Sequence, residues 1–219
     1  MKLLNGDCLE LMKDISNNSI DLLFCDLPYG QTNCKWDNLI DLDLFWKEVN
    51  RICKDTTPMF FTCSTKFGVS LINSNPKNFR YDLVWVKSTF CGFLNAKKMP
   101  LKKHEMIYVF YRKLPLYDLS SHKCFGNGKS KGVFPNNSVY QRNVVRFKEW
   151  FYDPPLPNSI LEMKSEKGKH ATQKPVELIK WCLKYYSKEG DVILDPTMGS
   201  GSTGVACREM KRDFIGIEM

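Results

Sequence analysis

Residues 192–218 read VILDPTMGSGSTGVACREMKRDFIGIE, and this stretch decides the fold. An apolar run leads into a loop with Gly199, Gly201 and Gly204, a helical pattern follows, and a second apolar run ends in Glu218. Strand, glycine loop, helix, strand and acid in this order are typical of a unit that binds a nucleotide cofactor. The glycines let the backbone approach the ligand closely, and the acid can bind ribose hydroxyls.

Two strands cannot complete such a sheet, and this unit stands last in the sequence. We therefore expect the N-terminal half to supply the remaining strands, so that the sheet is circularly permuted. Short apolar runs alternate there with helical patterns, which predicts an α/β fold with a doubly wound, mostly parallel seven-stranded sheet. The predicted strands are 3–4, 21–25, 59–62, 81–86, 106–111, 192–194 and 214–217, and the predicted helices are 8–15, 44–53, 67–72, 176–186 (with Pro175 as its first residue) and 202–210.

The middle of the chain loses this alternation. Residues 114–168 are rich in Pro, Gly, Asn and Ser, but they keep aromatic residues that can pack, such as Trp150. We expect an irregular inserted region there rather than a linker. The predicted organisation is therefore 1–113 and 169–219 as two halves of one domain, separated by 114–168.

A second informative stretch, FCDLPYG, covers residues 24–30. An apolar run ends in Asp26, and a proline and a tyrosine follow. In the permuted sheet, Asp26 ends the strand that flanks the 192–194 strand, across the crevice where such sheets bind ligands. By the same reasoning Asp7, which follows the first short strand, should lie beside Glu218.

Together these stretches resemble the DNA amino-methyltransferases that use S-adenosylmethionine, in the permuted order with the catalytic motif first. His170 to Pro175 and Asn5 to Asp7 are similar to two further segments of that family. The resemblance implies a class I methyltransferase sheet whose halves are catalytic (1–113) and cofactor-binding (169–219), with target recognition in 114–168. The residues implied to bind the cofactor are Asp7, Thr172, Lys174, Asp195, Pro196, Thr197, Met198, Gly199, Ser200, Gly201, Thr203 and Glu218.

The catalytic motif of the family, D-P-P-Y, corresponds to Asp26, Leu27, Pro28 and Tyr29, with leucine in place of the first proline. The Asp26 carboxylate and the Leu27 carbonyl would accept hydrogen bonds from an exocyclic amino group and make its nitrogen nucleophilic. Pro28 would hold the turn, and Tyr29 would stack on a base flipped out of the duplex. By resemblance, Asp at the first position favours N6 of adenine over N4 of cytosine.

The net charge of +8 is concentrated in the middle of the chain. Residues 87–174 contain 17 Lys and Arg against 6 Asp and Glu, a balance of +11, whereas the rest has 15 against 18, a balance of −3. Basic residues interleaved with aromatic and amide residues suit a nucleic acid, because cations neutralise phosphates and amides can read base edges. The family resemblance implies that this partner is double-stranded DNA. The candidate DNA-binding residues are Lys97, Lys98, Lys102, Lys103, Arg142 and Arg146.

The remaining features predict a reduced, water-soluble setting. The nine cysteines are scattered without a Cys-x-x-Cys pair, so we expect thiols and no metal site. Apolar runs are far shorter than the roughly 20 residues of a membrane span, and no signal-peptide pattern is present, so we expect no membrane contact and a cytoplasmic location. A homodimer and a restriction endonuclease partner are further expectations from the resemblance.

Several alternatives remain open at this point. The same acceptor motif would serve an N4-cytosine methyltransferase. A chain that kept the fold but lost turnover would be a silent nucleic-acid-binding relative. A nicotinamide-dependent oxidoreductase could use the same glycine pattern, but it leaves residues 26–29 and the basic middle unexplained.

Overall fold

The computed structural model describes residues 1–30, 39–125, 151–165 and 173–219. They fall into two compact units, of which the larger comprises Met1–Tyr117 with Ser159–Met219 and the smaller is Asp118–Asn158. No helix among the described residues has the length and apolar character that crossing a bilayer requires.

The larger unit alternates strands and helices, as the pattern of apolar runs predicts. Its strands are β1 (Lys2–Asn5), β2 (Leu22–Cys25), β3 (Met59–Cys63), β4 (Phe79–Cys91), β5 (Lys102–Phe110), β8 (Ile160–Glu162), β9 (Val192–Asp195) and β10 (Asp213–Glu218). Its helices are α1 (Cys8–Leu11), α2 (Leu42–Ile52), α3 (Thr65–Ser74), α4 (Val176–Tyr186) and α5 (Ser202–Glu209), with short 3-10 helices at Met12–Asp14 and Phe93–Asn95. In the smaller unit β6 (Lys123–Phe125) pairs antiparallel with β7 (Phe151–Asp153).

The sheet of the larger unit has the strand order β1-β10-β9-β2-β3-β5-β4-β8. The first five strands are mutually parallel, and only β5 runs against its neighbours. The last two strands of the sequence lie between the first two. The circular permutation is therefore present, and the fold is the mostly parallel α/β sheet that the sequence predicts.

Two details differ from the prediction. The described residues form eight strands in the main sheet rather than seven, because Ile160–Glu162, inside the region expected to be irregular, pairs parallel with β4. Pro175 is the N-cap of α4 with extended backbone angles rather than its first helical residue. A three-residue strand gives too short a periodic pattern to be found in the sequence, and helix ends are set by capping geometry.

The core lies where the sheet is covered by helices. Every residue of β2 and β3 is buried, which explains why these strands read as continuous apolar runs. Phe45 and Trp46 of α2 pack edge-on against Phe61 of β3, at centroid distances of 6.1 and 5.4 Å. This packing fixes the carboxyl ends of β2 and β3, from which the candidate site is built.

Candidate active site

The carboxyl ends of the parallel strands meet at one edge of the sheet and bring together residues from both ends of the sequence. Asn5 of β1 lies opposite Glu218 of β10, and the Gly6 amide donates to the Glu218 carbonyl oxygen at 2.9 Å. Leu23 of β2 pairs with Leu194 of β9, so Asp26 and Asp195 follow neighbouring strands. The edge therefore carries the acidic residues that the sequence assigns to a ligand crevice.

The glycine loop is shaped for close approach of a ligand. Gly199 and Gly201 have φ of 51° and 79°, a left-handed conformation that L side chains rarely adopt, and a Cβ added at either would meet nothing within 4 Å. The Gly199 amide donates to the Glu218 carboxylate at 2.7 Å. The Met198 amide donates to the Ile217 carbonyl oxygen at 2.9 Å, which ties the loop to the end of β10.

Asp195, the last residue of β9, is a buried carboxyl beneath this loop, with 4% of its surface exposed. Its two oxygens accept hydrogen bonds from the Thr203 hydroxyl at 2.5 Å and from the Thr197 amide at 3.2 Å. Burial raises the pKa of Asp195 from 3.8 to about 7, against the lowering effect of these two donors. Within the part of the chain that the structure describes, Asp195 forms no ion pair, so this carboxyl suits the positively charged group of a ligand.

These observations test whether S-adenosylmethionine fits the site. The cofactor carries an ammonium group, ribose hydroxyls and an adenine ring. The structure offers the buried carboxyl of Asp195, a glycine loop that faces open space, and Glu218 at the tip of β10. The donor and acceptor chemistry fits the cofactor.

Asp26, directly after β2, is the centre of a hydrogen-bonded cluster. One carboxylate oxygen accepts from the Thr62 hydroxyl at 2.7 Å and is also contacted by the Tyr29 hydroxyl. The other lies 2.5 Å from the Lys174 ammonium. The carboxylate is thus oriented by three donors from three different segments of the chain.

Lys174, which is predicted to bind the cofactor, lies in this site with its ammonium against the Asp26 carboxylate. A second carboxylate, that of Glu105 on β5, lies 3.9 Å from the same ammonium and pairs with Lys87 at 2.9 Å. Burial alone would lower the pKa of Lys174, but Asp26 and Glu105 more than offset it, and the pKa is raised. Lys174 is therefore a cation in this site and not a general base.

The catalytic turn is packed against its surroundings. Leu27, which replaces the proline of the family motif, is 2% exposed. The Tyr29 ring packs on Phe67 of α3 with a centroid distance of 5.3 Å. The Thr197 hydroxyl donates to the Asp26 carbonyl oxygen at 3.1 Å, so the glycine loop holds the catalytic turn directly.

Sequence reasoning missed two residues of this cluster. Thr62 is a single polar residue within the apolar β3 strand, which is a weak signal that a side chain faces a polar neighbour. Glu105 lies in β5, one residue before the predicted strand 106–111, and nothing local indicates that it faces Lys174. Both depend on contacts between distant segments.

The other predicted residues lie as follows. Asp7 is the N-cap of α1, where its carboxylate accepts from the Leu9 and Glu10 amides at 2.8 and 3.2 Å. Pro196 and Ser200 belong to the glycine loop, and the Ser200 hydroxyl is 3.3 Å from that of Ser202. The exposed lysines Lys97, Lys98, Lys102 and Lys103 lie on the β4–β5 hairpin, and Thr172, Arg142 and Arg146 lie outside the described residues.

Comparison with known proteins places this architecture in a family. The family model described as DNA methylase matches residues 20–219. The type II methyltransferase M.HinfI of Haemophilus influenzae is 30% identical over 251 residues, which cover 99% of this chain and 64% of that protein. The DNA adenine methyltransferase YhdJ of Escherichia coli is 26% identical over 245 residues, which cover 99% of this chain and 78% of that protein.

Solved structures show the same fold. The PvuII DNA methyltransferase, described as cytosine-N4-specific, has a TM-score of 0.71 at 17% identity. The match covers 99% of this chain and 81% of the PvuII methyltransferase chain. M1.HpyAVI, solved as a complex with S-adenosylmethionine, has a TM-score of 0.64 at 22% identity. The match covers 99% of this chain and 92% of the M1.HpyAVI chain.

These matches confirm the predicted family resemblance, the fold class and, at the level of the family, DNA as substrate and S-adenosylmethionine as cofactor. They favour a methyltransferase over a nicotinamide-dependent oxidoreductase. With a family model that matches nearly the whole sequence and a turn after β2 joined to a glycine loop, this chain belongs to the DNA methylase family.

Proposed function

We propose that this chain is a site-specific DNA methyltransferase that transfers a methyl group from S-adenosylmethionine to N6 of a flipped-out adenine. The observation that carries the proposal is the hydrogen bond from Thr197 to the Asp26 carbonyl oxygen, which joins the acceptor turn to the cofactor loop. The adenine assignment is supported by Asp at the first motif position and by the name of the Escherichia coli relative.

S-adenosylmethionine supplies a methyl group that is already activated on a sulfonium. The chain acts on the acceptor, because the lone pair of an exocyclic amino group is delocalised into the ring. The Asp26 carboxylate and the Leu27 carbonyl accept hydrogen bonds from the two N–H groups of this amino group and favour a pyramidal, nucleophilic nitrogen. Thr62 holds the Asp26 carboxylate, and Thr197 holds the Asp26 backbone carbonyl and thereby the turn that carries both acceptors. The main contribution of the protein is therefore positioning and electrostatics.

The Lys174 ammonium contacts the Asp26 oxygen that does not accept from Thr62. A target amino group has to displace it before it can donate there. Glu105, at 3.9 Å, is a second carboxylate that can keep the ammonium paired when this happens. Leaving a buried charge unpaired costs about 3–5 kcal/mol, which this arrangement avoids.

The same proposal assigns roles to the rest of the chain. Residues 1–113 form the catalytic half, 169–219 form the cofactor half, and 114–168, which include the smaller unit Asp118–Asn158, read the target sequence. Asp7, Pro196, Ser200 and Thr172 would complete the cofactor site, and Arg142 and Arg146 would contact DNA. A cytoplasmic location, a homodimer and a restriction endonuclease partner complete this assignment.

The test is methylation of unmethylated bacteriophage DNA with isotopically labelled S-adenosylmethionine, followed by digestion to nucleosides and mass spectrometry. We expect labelled N6-methyladenine. Asp26→Ala should lower methyl transfer at least about 100-fold, the usual loss when one stabilising polar group is removed from an active site. Asp14→Ala, which removes an exposed carboxylate after α1, is the matched control and should keep wild-type activity.

Calorimetric titration with S-adenosylmethionine shows whether Asp26→Ala is folded, since cofactor binding should persist in it. Labelled N4-methylcytosine would keep the mechanism and correct the base. Cofactor binding without any label in the wild type would favour the silent nucleic-acid-binding relative. Near wild-type transfer by Asp26→Ala would show that the acceptor mechanism is wrong.

A further inference from the structure

The hairpin between β4 and β5 carries a surface that combines apolar and basic side chains. Every residue from 88 to 104, here called the hairpin tip, is exposed. Phe93 and Leu94 are 75% and 87% exposed, and Phe90, Met99 and Leu101 are exposed as well. The tip contains four lysines and no acidic residue: Lys97, Lys98, Lys102 and Lys103. Large exposed apolar side chains in one short segment indicate a binding surface.

The tip has an ordered backbone. Gly92 adopts the left-handed conformation, with φ of 83°, and starts the 3-10 helix Phe93–Asn95. The Asn95 amide donates to the Gly92 carbonyl oxygen at 2.9 Å, and the Lys98 amide donates to the Asn95 carbonyl oxygen at 2.8 Å. The apolar side chains are therefore presented by a hydrogen-bonded turn, which lowers the entropy cost of inserting them into a partner.

The register of the sheet places the tip beyond the candidate site. Met106 of β5 pairs with Cys63, the last residue of β3, so Lys102 lies four residues past the end of β3. At about 3.3 Å per residue this is roughly 13 Å beyond the sheet edge, and Phe93 follows further along the hairpin. Asp26 follows β2, the parallel neighbour of β3, and so lies at the same edge. A duplex whose target base reaches Asp26 would lie within reach of the tip.

The chemistry of the tip favours DNA over other partners. Lysines neutralise phosphates, and apolar side chains can insert between base steps that have lost their stacking. A two-fold contact between two copies of the tip would bring four lysines against four lysines, because such a contact uses the same patch on both subunits. A membrane surface would not explain why the tip projects from the edge that carries Asp26.

We propose that the hairpin tip inserts Phe93 and Leu94 between the bases of duplex DNA next to the target, while its lysines bind the flanking phosphates. The inference rests on the proposed function, because flipping a base breaks its stacking and leaves a gap in the duplex. Filling that gap with apolar side chains stabilises the opened DNA. The tip is thus the element that keeps the target base out of the stack.

The test uses tryptophan fluorescence, which is quenched when the ring stacks between bases. Leu94→Trp places the probe at the tip. The matched control is Leu44→Trp, a 50% exposed position. It lies on α2, distant from the tip in sequence and outside the segment proposed to read the target. Both are titrated with sonicated bacteriophage DNA, and binding is followed by fluorescence anisotropy of the labelled DNA.

We expect DNA to quench the emission added by Leu94→Trp at least twofold and to leave that of Leu44→Trp unchanged. An unquenched Leu94→Trp signal on DNA that is bound would overturn the proposal. Two other results without quenching by DNA would also overturn it. One is a blue shift of the Leu94→Trp emission on addition of phosphatidylserine vesicles. The other is a blue shift with rising protein concentration, accompanied by a larger sedimentation coefficient. These outcomes would identify a membrane or a second copy as the partner.

A second measurement links the tip to methylation. Phe93→Ser with Leu94→Ser should lower methyl transfer to duplex DNA at least tenfold while S-adenosylmethionine affinity stays at the wild-type value. Leu44→Ser with Val69→Ser, both exposed and distant from the tip in sequence, should transfer at the wild-type rate. Quenching of Leu94→Trp without any methyl transfer by the wild type would support the inserting tip and contradict the proposed function. Methyl transfer without quenching would do the reverse.

Discussion

The wild type should lose folding stability as the pH rises, and replacing Asp195 with asparagine should remove a large part of this loss. The carboxyl is buried, and desolvation raises its pKa from 3.8 to about 7. The folded chain therefore binds this proton more tightly than the unfolded chain does. The free energy of unfolding should fall as the pH rises from about 4, where the unfolded carboxyl ionises, to about 7, where the folded one does.

The size of the effect follows from the two pKa values. One unit corresponds to about 1.4 kcal/mol, so a difference of about 3 units destabilises the ionised protein by about 4 kcal/mol. Integrated over pH, the loss is about 1.7 kcal/mol at pH 5 and about 4.3 kcal/mol at pH 8. Between pH 5 and pH 8 the wild type should therefore lose about 2.6 kcal/mol that Asp195→Asn does not lose.

The assay is urea unfolding of the wild type and Asp195→Asn at pH 5 and pH 8, with linear extrapolation to water. Asparagine changes the hydrogen bonds with Thr203 and Thr197, but it does so equally at both pH values, so this cost cancels in the comparison. Asp213→Asn, which removes a carboxylate whose side chain is 68% exposed, controls for the change in net charge. It should follow the wild type.

Equal losses of stability in the wild type and Asp195→Asn between pH 5 and pH 8 would refute the reasoning. Asp195 would then ionise in the folded protein without a desolvation cost. The inference that this buried carboxyl suits a positively charged group of the ligand would then be wrong as well.

Two further substitutions test the support of the site. Thr62→Val removes the hydroxyl that donates to Asp26 at 2.7 Å, and losing about 1.5–3 kcal/mol of a charge-assisted hydrogen bond should lower the rate of labelled methyl transfer at least tenfold. An unchanged rate would mean that Thr62 only packs beside the carboxylate. Gly216→Ala would place a Cβ 2.4 Å from the Met198 sulfur and 2.6 Å from the Phe214 ring, and this overpacking should lower the free energy of urea unfolding by about 1–3 kcal/mol. A wild-type urea midpoint would show that the core relaxes there without cost.

The sequence was informative wherever the signal is local. The glycine loop of residues 199–204 requires backbone angles that only glycine adopts easily, and it lies between an apolar run and a helical pattern. The buried strands β2 and β3 read as continuous apolar runs because both faces of the sheet are covered. Asp26 could be placed at a sheet edge because it follows such a run directly.

The sequence was less informative where the signal depends on neighbours that are distant along the chain. Ile160–Glu162 joins the main sheet through pairing with β4. Three residues are too few to show the alternation of apolar and polar residues that predicts a strand. Nothing in the sequence indicates that the Lys174 side chain reaches Asp26, 148 residues away. Which carboxylate a lysine approaches depends on strand order and side-chain direction, and a motif records neither.

The sequence by itself determined the permuted order of the halves, the glycine loop and the acidic residue at the end of β2, because turn chemistry and apolar periodicity act between neighbouring residues. Only the tertiary structure decided that Thr62, Lys174 and Glu105 surround Asp26, and that the hairpin tip projects from the same edge. These arrangements arise when β3 and β5 pair and the start of α4 is brought against them. Their physical origin is contact between segments far apart in the chain, which no local pattern encodes.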